Sequence, residues 1–114
     1  ILRILDIAKN DHALEPRLRA GSLTTYATAL RQQARLEEAL VAGFEALGAL
    51  EDGLGRRHPH VVLVRLELAK IYDAQGEPDQ GREQLVFAAE VAADVFGPEH
   101  PETLRIRELL ELSP

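Results

Sequence analysis

One stretch of the chain occurs twice, and it limits the possible folds more than any other feature of the sequence. Leu54-Gly55-Arg56-Arg57-His58-Pro59 returns as Phe96-Gly97-Pro98-Glu99-His100-Pro101, which sets a period of 42 along the chain. Each copy reads as a joint between two helices. An apolar residue closes one helix, Gly turns the chain through positive φ, and Pro takes the first position of the next helix. The same shift superposes Ala27 on Ala69, Gln33 on Gln75, Ala46 on Ala88 and Asp52 on Asp94, where small or turn residues are needed. The chain is therefore expected to be a helical repeat.

Composition agrees with that reading and excludes several classes. Among the 114 residues only Tyr26, Tyr72, Phe44, Phe87 and Phe96 are aromatic, so the core must be built from Leu, Val and Ala. There is no Cys, which rules out disulfides, thiolate metal sites and thiol nucleophiles and is compatible with a reducing compartment; the expected location is cytoplasmic. There is also no Met, even at position 1, so the chain is read as an excised or processed fragment. A formal net charge of −6 argues against non-specific nucleic-acid binding, which needs a basic stripe. No apolar run approaches the roughly 18 residues of a membrane span.

Read in order, residues 1–9 place Leu2 and Leu5 on one face and look like the tail of a helix that began upstream. From about Arg17 to Gln33, Leu23, Tyr26, Ala27, Leu30 and Ala34 keep helical spacing. Gly21, Ser22, Thr24, Thr25 and Thr28 weaken its intrinsic propensity, so packing must hold it. A second helix over Leu36–Gly53 turns Leu40, Phe44, Leu47 and Leu50 or Leu54 inward, and Gly53 and Gly55 are read as stops. Further helices run over His60–Gln75 and Asp79–Val95, and a last one starts at Pro101 and carries Leu104, Ile106, Leu109 and Leu110.

No arrangement for catalysis or metal binding emerges. His12, His58, His60 and His100 sit in the joints. Joints of successive units lie roughly 10 Å apart for packed helices, too far to share a zinc ion that needs ligands at about 2.0–2.1 Å. His58 and His100 are better read as capping or packing the helix that follows. The acid pairs Glu37/Glu38, Glu51/Asp52 and Glu108/Glu111 have no nucleophile or oxyanion donor beside them and read as solvated faces. Ser22 and Ser113 lack a His–Asp partner set, and no Gly-rich phosphate loop is present. The chain is not expected to be an enzyme or to carry a cofactor or a metal.

The small and large positions of the two helix pairs resemble the tetratricopeptide repeat, a helix–turn–helix unit of about 34 residues. Tyr26-Ala27, Leu30, Ala39 and Ala46 fit the first unit, and Leu68-Ala69, Tyr72, Gly81, Leu85 and Ala88 the second. The longer repeat, with its Gly-x-x-His-Pro joint and the inner turns Arg35-Leu36-Glu37-Glu38-Ala39 and Gln75-Gly76-Glu77, is similar to the kinesin-light-chain type. The resemblance covers residues 16–112. Two positions depart from it: Gly43, with Phe44 beside it, stands where a large residue is usual, and Pro78 where an aromatic is usual.

The resemblance implies an all-α, right-handed α-solenoid of antiparallel hairpins, with about two full repeats and partial repeats at both ends. Residues 1–15 would end a preceding unit, 16–58 and 59–100 would be full units, and 101–114 would open a further or capping one. It also implies that the first helices line a concave groove, with Gly21, Thr24, Thr28 and Arg31 from the first unit. The second contributes Leu63, Leu66, Lys70 and Asp73, and the third Arg105 and Glu108. Leu63 and Leu66 are equally well read as core of the neighbouring unit. Some family members grip a peptide C-terminal carboxylate; of the matching Thr24, Thr28, Glu67, Arg105 and Leu109 only Arg105 fits that role. Family targets of the kinesin-light-chain type are acidic–aromatic segments lying extended in the groove.

The function expected is a protein- or peptide-binding scaffold, with no nucleic acid and no membrane as partner. The rival is a structural or oligomerisation segment of a larger protein, because faces bearing Leu2, Leu5, Leu104 and Leu109 would seek a partner, including a second copy.

Overall fold

The computed structural model describes residues 15–112. Over that range it is all-helical: α1 (Pro16–Gln32), α2 (Leu36–Leu54), α3 (Pro59–Ala74), α4 (Pro78–Val95) and α5 (Pro101–Leu112). The helix read in residues 1–9, and His12, lie outside the described residues. Every helix but α2 begins on a proline, whose missing N–H is one of the donors a first turn cannot pair anyway. Pro78, one of the two departures, has this simple role at the start of α4.

The two short turns are built from the same bonds, one repeat period apart. Arg35 N–H donates to the Leu30 carbonyl at 2.9 Å, and Glu77 N–H to the Tyr72 carbonyl at 2.9 Å. Ala34 N–H donates to Arg31 at 3.0 Å and Gly76 N–H to Asp73 at 3.1 Å. These are helix stops that satisfy orphan carbonyls and need one residue in the left-handed region. Gly76 supplies it at φ 76°, and Ala34 takes the matching place at φ 62°. Ala34 is thus an exposed turn residue and not the last apolar position of α1, as its spacing had suggested.

The two longer joints match as well. Gly55 and Gly97 turn the chain at φ 90° and 103°. His58 Nδ1 then accepts the His60 N–H at 3.1 Å, and His100 Nδ1 accepts the Glu102 N–H at 3.1 Å. Each ring does the work usually given to a Ser or Asp N-cap. Gly53, read as a stop, is instead helical within α2 and lies against the Pro16 ring.

Helices pack on their neighbours in order, α1 on α2, α2 on α3, α3 on α4 and α4 on α5, and α1 also meets α3. Ala27, Ala39, Ala46, Ala88 and Ala92 are fully buried at these contacts, while Leu23, Leu50, Leu68 and Ile106 fill the spaces between. Each such Leu or Ile contributes about 1.5–3 kcal/mol through burial. At Gly43 a side chain of α3 lies hard against α2: a Cβ there would lie 2.6 Å from Leu68 Cδ2. Leu68 therefore fills the place of the absent side chain. Phe44, expected inward, is turned out, 42% exposed, with its ring edge toward Tyr72 at 6.5 Å.

Among the described residues Arg65 of α3 is the one buried arginine, at the place that the fully buried Leu23 holds one period earlier. Its guanidinium donates to Gln84 Oε1 at 2.8 Å, lies over the Phe87 ring at 4.4 Å and approaches Glu51 at 3.8 Å. Burial pushes its pKa down, with the Glu51 carboxylate opposing. The side chain ties α2, α3 and α4 together.

Two outcomes follow. An L-residue in the left-handed region costs about 1–2 kcal/mol relative to its relaxed state, so Ala34→Gly should raise unfolding free energy by about 1 kcal/mol and Gly76→Ala lower it similarly, read from urea midpoints. Burial, together with the neighbouring His58 ring and Arg17, holds His60 below its ordinary pKa of 6.5. The folded chain then binds fewer protons than the unfolded one, so this contribution is whole above about pH 6.5 and is lost as pH falls through the folded value. Thermal midpoints should drop between about pH 7.5 and about pH 5.5, and His60→Gln should reduce the drop.

Candidate functional site

The residues expected to line a groove fall into three groups on the face shared by α1, α3 and α5. Thr24 and Leu63 flank a shallow hollow of about 260 Å³ between α1 and α3, with Gly21, His60 and Val64. Leu63 is 55% exposed there, so it is a surface residue and not core.

Below this hollow, Thr28 and Arg31 are engaged with the chain itself. The Thr28 hydroxyl donates to Glu67 Oε1 at 2.7 Å, and Arg31 Nε donates to Glu67 Oε2 at 2.5 Å. The Glu67 side chain is only 8% exposed, and Arg31 is 25% exposed. A carboxylate so deeply placed needs its charge and lone pairs matched, and these two donors match them. The result is a polar clasp that fastens α1 to α3 and occupies Thr28 and Arg31.

The second half is open. No Cα of α5 comes within 8 Å of one in α3. A cleft of about 570 Å³ separates the two helices, floored by Leu66, Ala69 and Leu85 and walled on the α5 side by Leu109 and Leu112. Lys70, Asp73 and Arg105 stand at its edge, so four of the expected residues (Leu66, Lys70, Asp73 and Arg105) come together here. Glu108 is exposed on α5 and lies outside the cleft.

The charged groups are unequal. Lys70 is exposed and has no acidic partner among the described residues. Arg105 is 62% exposed and reaches Glu102 only at 3.6 Å. Asp73 is turned toward α4, where its Oδ1 would be 2.7 Å from a Cβ at Gly81. Negative charge is favoured there, in the first turn of a helix.

The polar groups at this site are a lysine, an arginine and an aspartate, around an apolar floor. Among the described residues no cluster of three or more His, Asp or Glu is placed to hold a metal ion, and no helix is long and apolar enough to cross a membrane. Leu85 and Leu112 were not expected in the site. Leu85 reads as core because it is core on one side, and it reaches the cleft only because α5 stands away from α3.

Removing the clasp carboxylate leaves Arg31 and Thr28 without their partner, and Glu67→Ala should lower stability by about 1–3 kcal/mol. Chemical denaturation checks this, with an unchanged slope expected for a loss confined to the native state. No protein-family model matches the chain, and no curated protein matches it either.

Proposed function

We propose that this chain is a protein- or peptide-binding scaffold module of the tetratricopeptide kind, nearest in pattern to the kinesin-light-chain type. In this reading the hairpins stack as a right-handed α-solenoid, and the partner lies in the α3–α5 cleft. The observation that carries it is the cleft itself, about 570 Å³ with an apolar floor, on the face where the resemblance puts the groove. Pockets of about 300–1,000 Å³ with a few well-placed polar groups are typical of ligand sites. Helix ends bonded alike one period apart support the repeat. A groove on packed helices is already rigid, so a ligand meets little further ordering cost in the protein. The reading involves no catalysis and no cofactor, and its natural setting is the cytoplasm.

One observation favours a second reading, self-association through α5. Leu104, Leu109 and Leu112 are 49%, 40% and 77% exposed, an unusual density of bare leucine on one short helix. The two readings separate by experiment. Peptides selected by display against the wild-type chain should shift amide resonances of Leu66, Lys70 and Leu109 on titration, and Leu66→Arg should weaken them at least about tenfold. Peptides that instead shift the outer face of α2, at Val41 and Phe44, contradict cleft binding. Sedimentation that shows dimer at micromolar concentration, abolished by Leu112→Glu, supports the second reading.

A further inference from the structure

α5 turns toward α4 the same face that α3 turns toward α2. Thr103 and Ile106 of α5 are fully buried, as are Val61 and Val64 one period earlier on α3. The adjoining face of α3 carries Val62, Arg65 and Leu68. All three are buried, in a core that α4 helps to close with Leu85, Ala88 and Val91. Arg65 is met by α4 in two ways, with Gln84 Oε1 accepting its hydrogen bond and the Phe87 ring lying 4.4 Å from its guanidinium.

One period later these three places are Leu104, Arg107 and Leu110. Leu104 is 49% exposed where Val62 is 1% exposed. Arg107 is exposed and has no hydrogen bond or ion pair among the described residues. Among those residues α5 meets α4 alone. A hollow of about 460 Å³ opens beside it, lined by Val86, Ala89 and Ala93 of α4 and by Arg107 and Leu110 of α5. It shares no residue with the α3–α5 cleft and lies on another side of α5.

Two places depart from the likeness. Glu51, which approaches Arg65 at 3.8 Å, becomes Ala93. Gly48 becomes Glu90, however, so the acid moves one turn along the same helix and still lines the hollow with Arg107. Ala69 becomes Glu111, which ends the likeness at the last turn of α5 and confines it to Leu104, Arg107 and Leu110. With a carboxylate of its own chain in the hollow, the Arg107 guanidinium has a flat face to offer, and such faces stack on aromatic rings.

We propose that this hollow docks an amphipathic helix of a partner protein, laid over Leu104, Arg107 and Leu110 as α4 is laid over Val62, Arg65 and Leu68. The partner helix carries an amide side chain and, three residues on, an aromatic ring set against Arg107, with small apolar residues beside them. A second copy does not supply that helix from its folded core, because its Gln84 and Phe87 are already engaged on Arg65. This surface is separate from the cleft proposed above and does not depend on it.

Resonance titration of the whole chain with a capped peptide of the α4 sequence, Pro78–Val95, tests the docking. Amide resonances of Leu104, Arg107 and Leu110 should shift and saturate by about 1 mM peptide. The peptide with Phe87→Leu should bind the wild type about two- to fivefold more weakly, the range of an exposed cation–π contact. Against Arg107→Gln the two peptides should bind about equally, and Leu104→Glu should weaken both at least about tenfold. Circular dichroism checks that both variants are folded. Absence of shifts at Leu104 and Arg107, or a difference between the peptides that persists in Arg107→Gln, overturns the proposal. Shifts at Val62 and Arg65 place the peptide where the chain's own α4 lies, and they overturn it too. Shifts at Leu66 and Lys70 place it in the α3–α5 cleft, which overturns this docking and leaves the cleft reading in place. Shifts at Leu104 and Arg107 that grow with protein concentration alone assign the face to a second copy and overturn the partner helix.

Discussion

The structure depends on satisfying the backbone at helix ends. Five helices joined by four short connections leave four last turns of carbonyls and four first turns of N–H groups to be paired there. The chain meets that constraint with two sets of bonds, each used twice. A left-handed residue lets the backbone stop α1 and α3, and a histidine ring caps α3 and α5. Because both sets recur at one spacing, each helix reverses at a matching register. The alanines at 27, 39, 46 and 88 then fall where helices must approach.

Against that regular frame the side chains differ from unit to unit, and the differences are where binding can arise. Leu23 in the first unit is answered by Arg65 in the second, held by Gln84, Phe87 and Glu51 across three helices. Glu67 in α3 is answered by Leu109 in α5, which removes a carboxylate and leaves a lysine facing a leucine-lined gap. The clasp makes the α1–α3 half of the face self-satisfied. The α3–α5 half has no such clasp among the described residues. Even if only part of the burial at the floor were available to a ligand, covering Leu66 and Leu109 would contribute a few kcal/mol, at about 25 cal/mol per Å² of apolar surface.

Much of this was legible in the sequence, because helix stops and starts are local. Gly55, Pro59, Gly97 and Pro101 mark the joints by their own conformational limits, and the helices begin and end within a residue or two of the places those signals give. Phe44 was misread because its direction depends on a non-local fact: Leu68 from α3 occupies the space over Gly43 and leaves the neighbouring ring outside. Ala34 was misread because alanine carries no left-handed signature; only its equivalence to Gly76 betrays the turn. Four of the expected groove residues meet in the cleft. Thr28 and Arg31 are instead bound to a glutamate 39 and 36 residues away, a pairing that sequence spacing cannot announce. Arg65 belongs to a residue type that is seldom buried, and only its non-local neighbours Gln84, Phe87 and Glu51 hold it in the core.

The most direct test of the account is scalar coupling across the two capping bonds. In uniformly ¹⁵N-labelled protein, the His60 amide nitrogen should couple to His58 Nδ1, and the Glu102 amide nitrogen to His100 Nδ1, each Nδ1 acting as the acceptor. Two couplings, one in each joint, are the result the repeat requires. If either is missing while the other is present, or if a ring carries its proton on Nδ1, the two joints are not equivalent and the repeated frame does not hold.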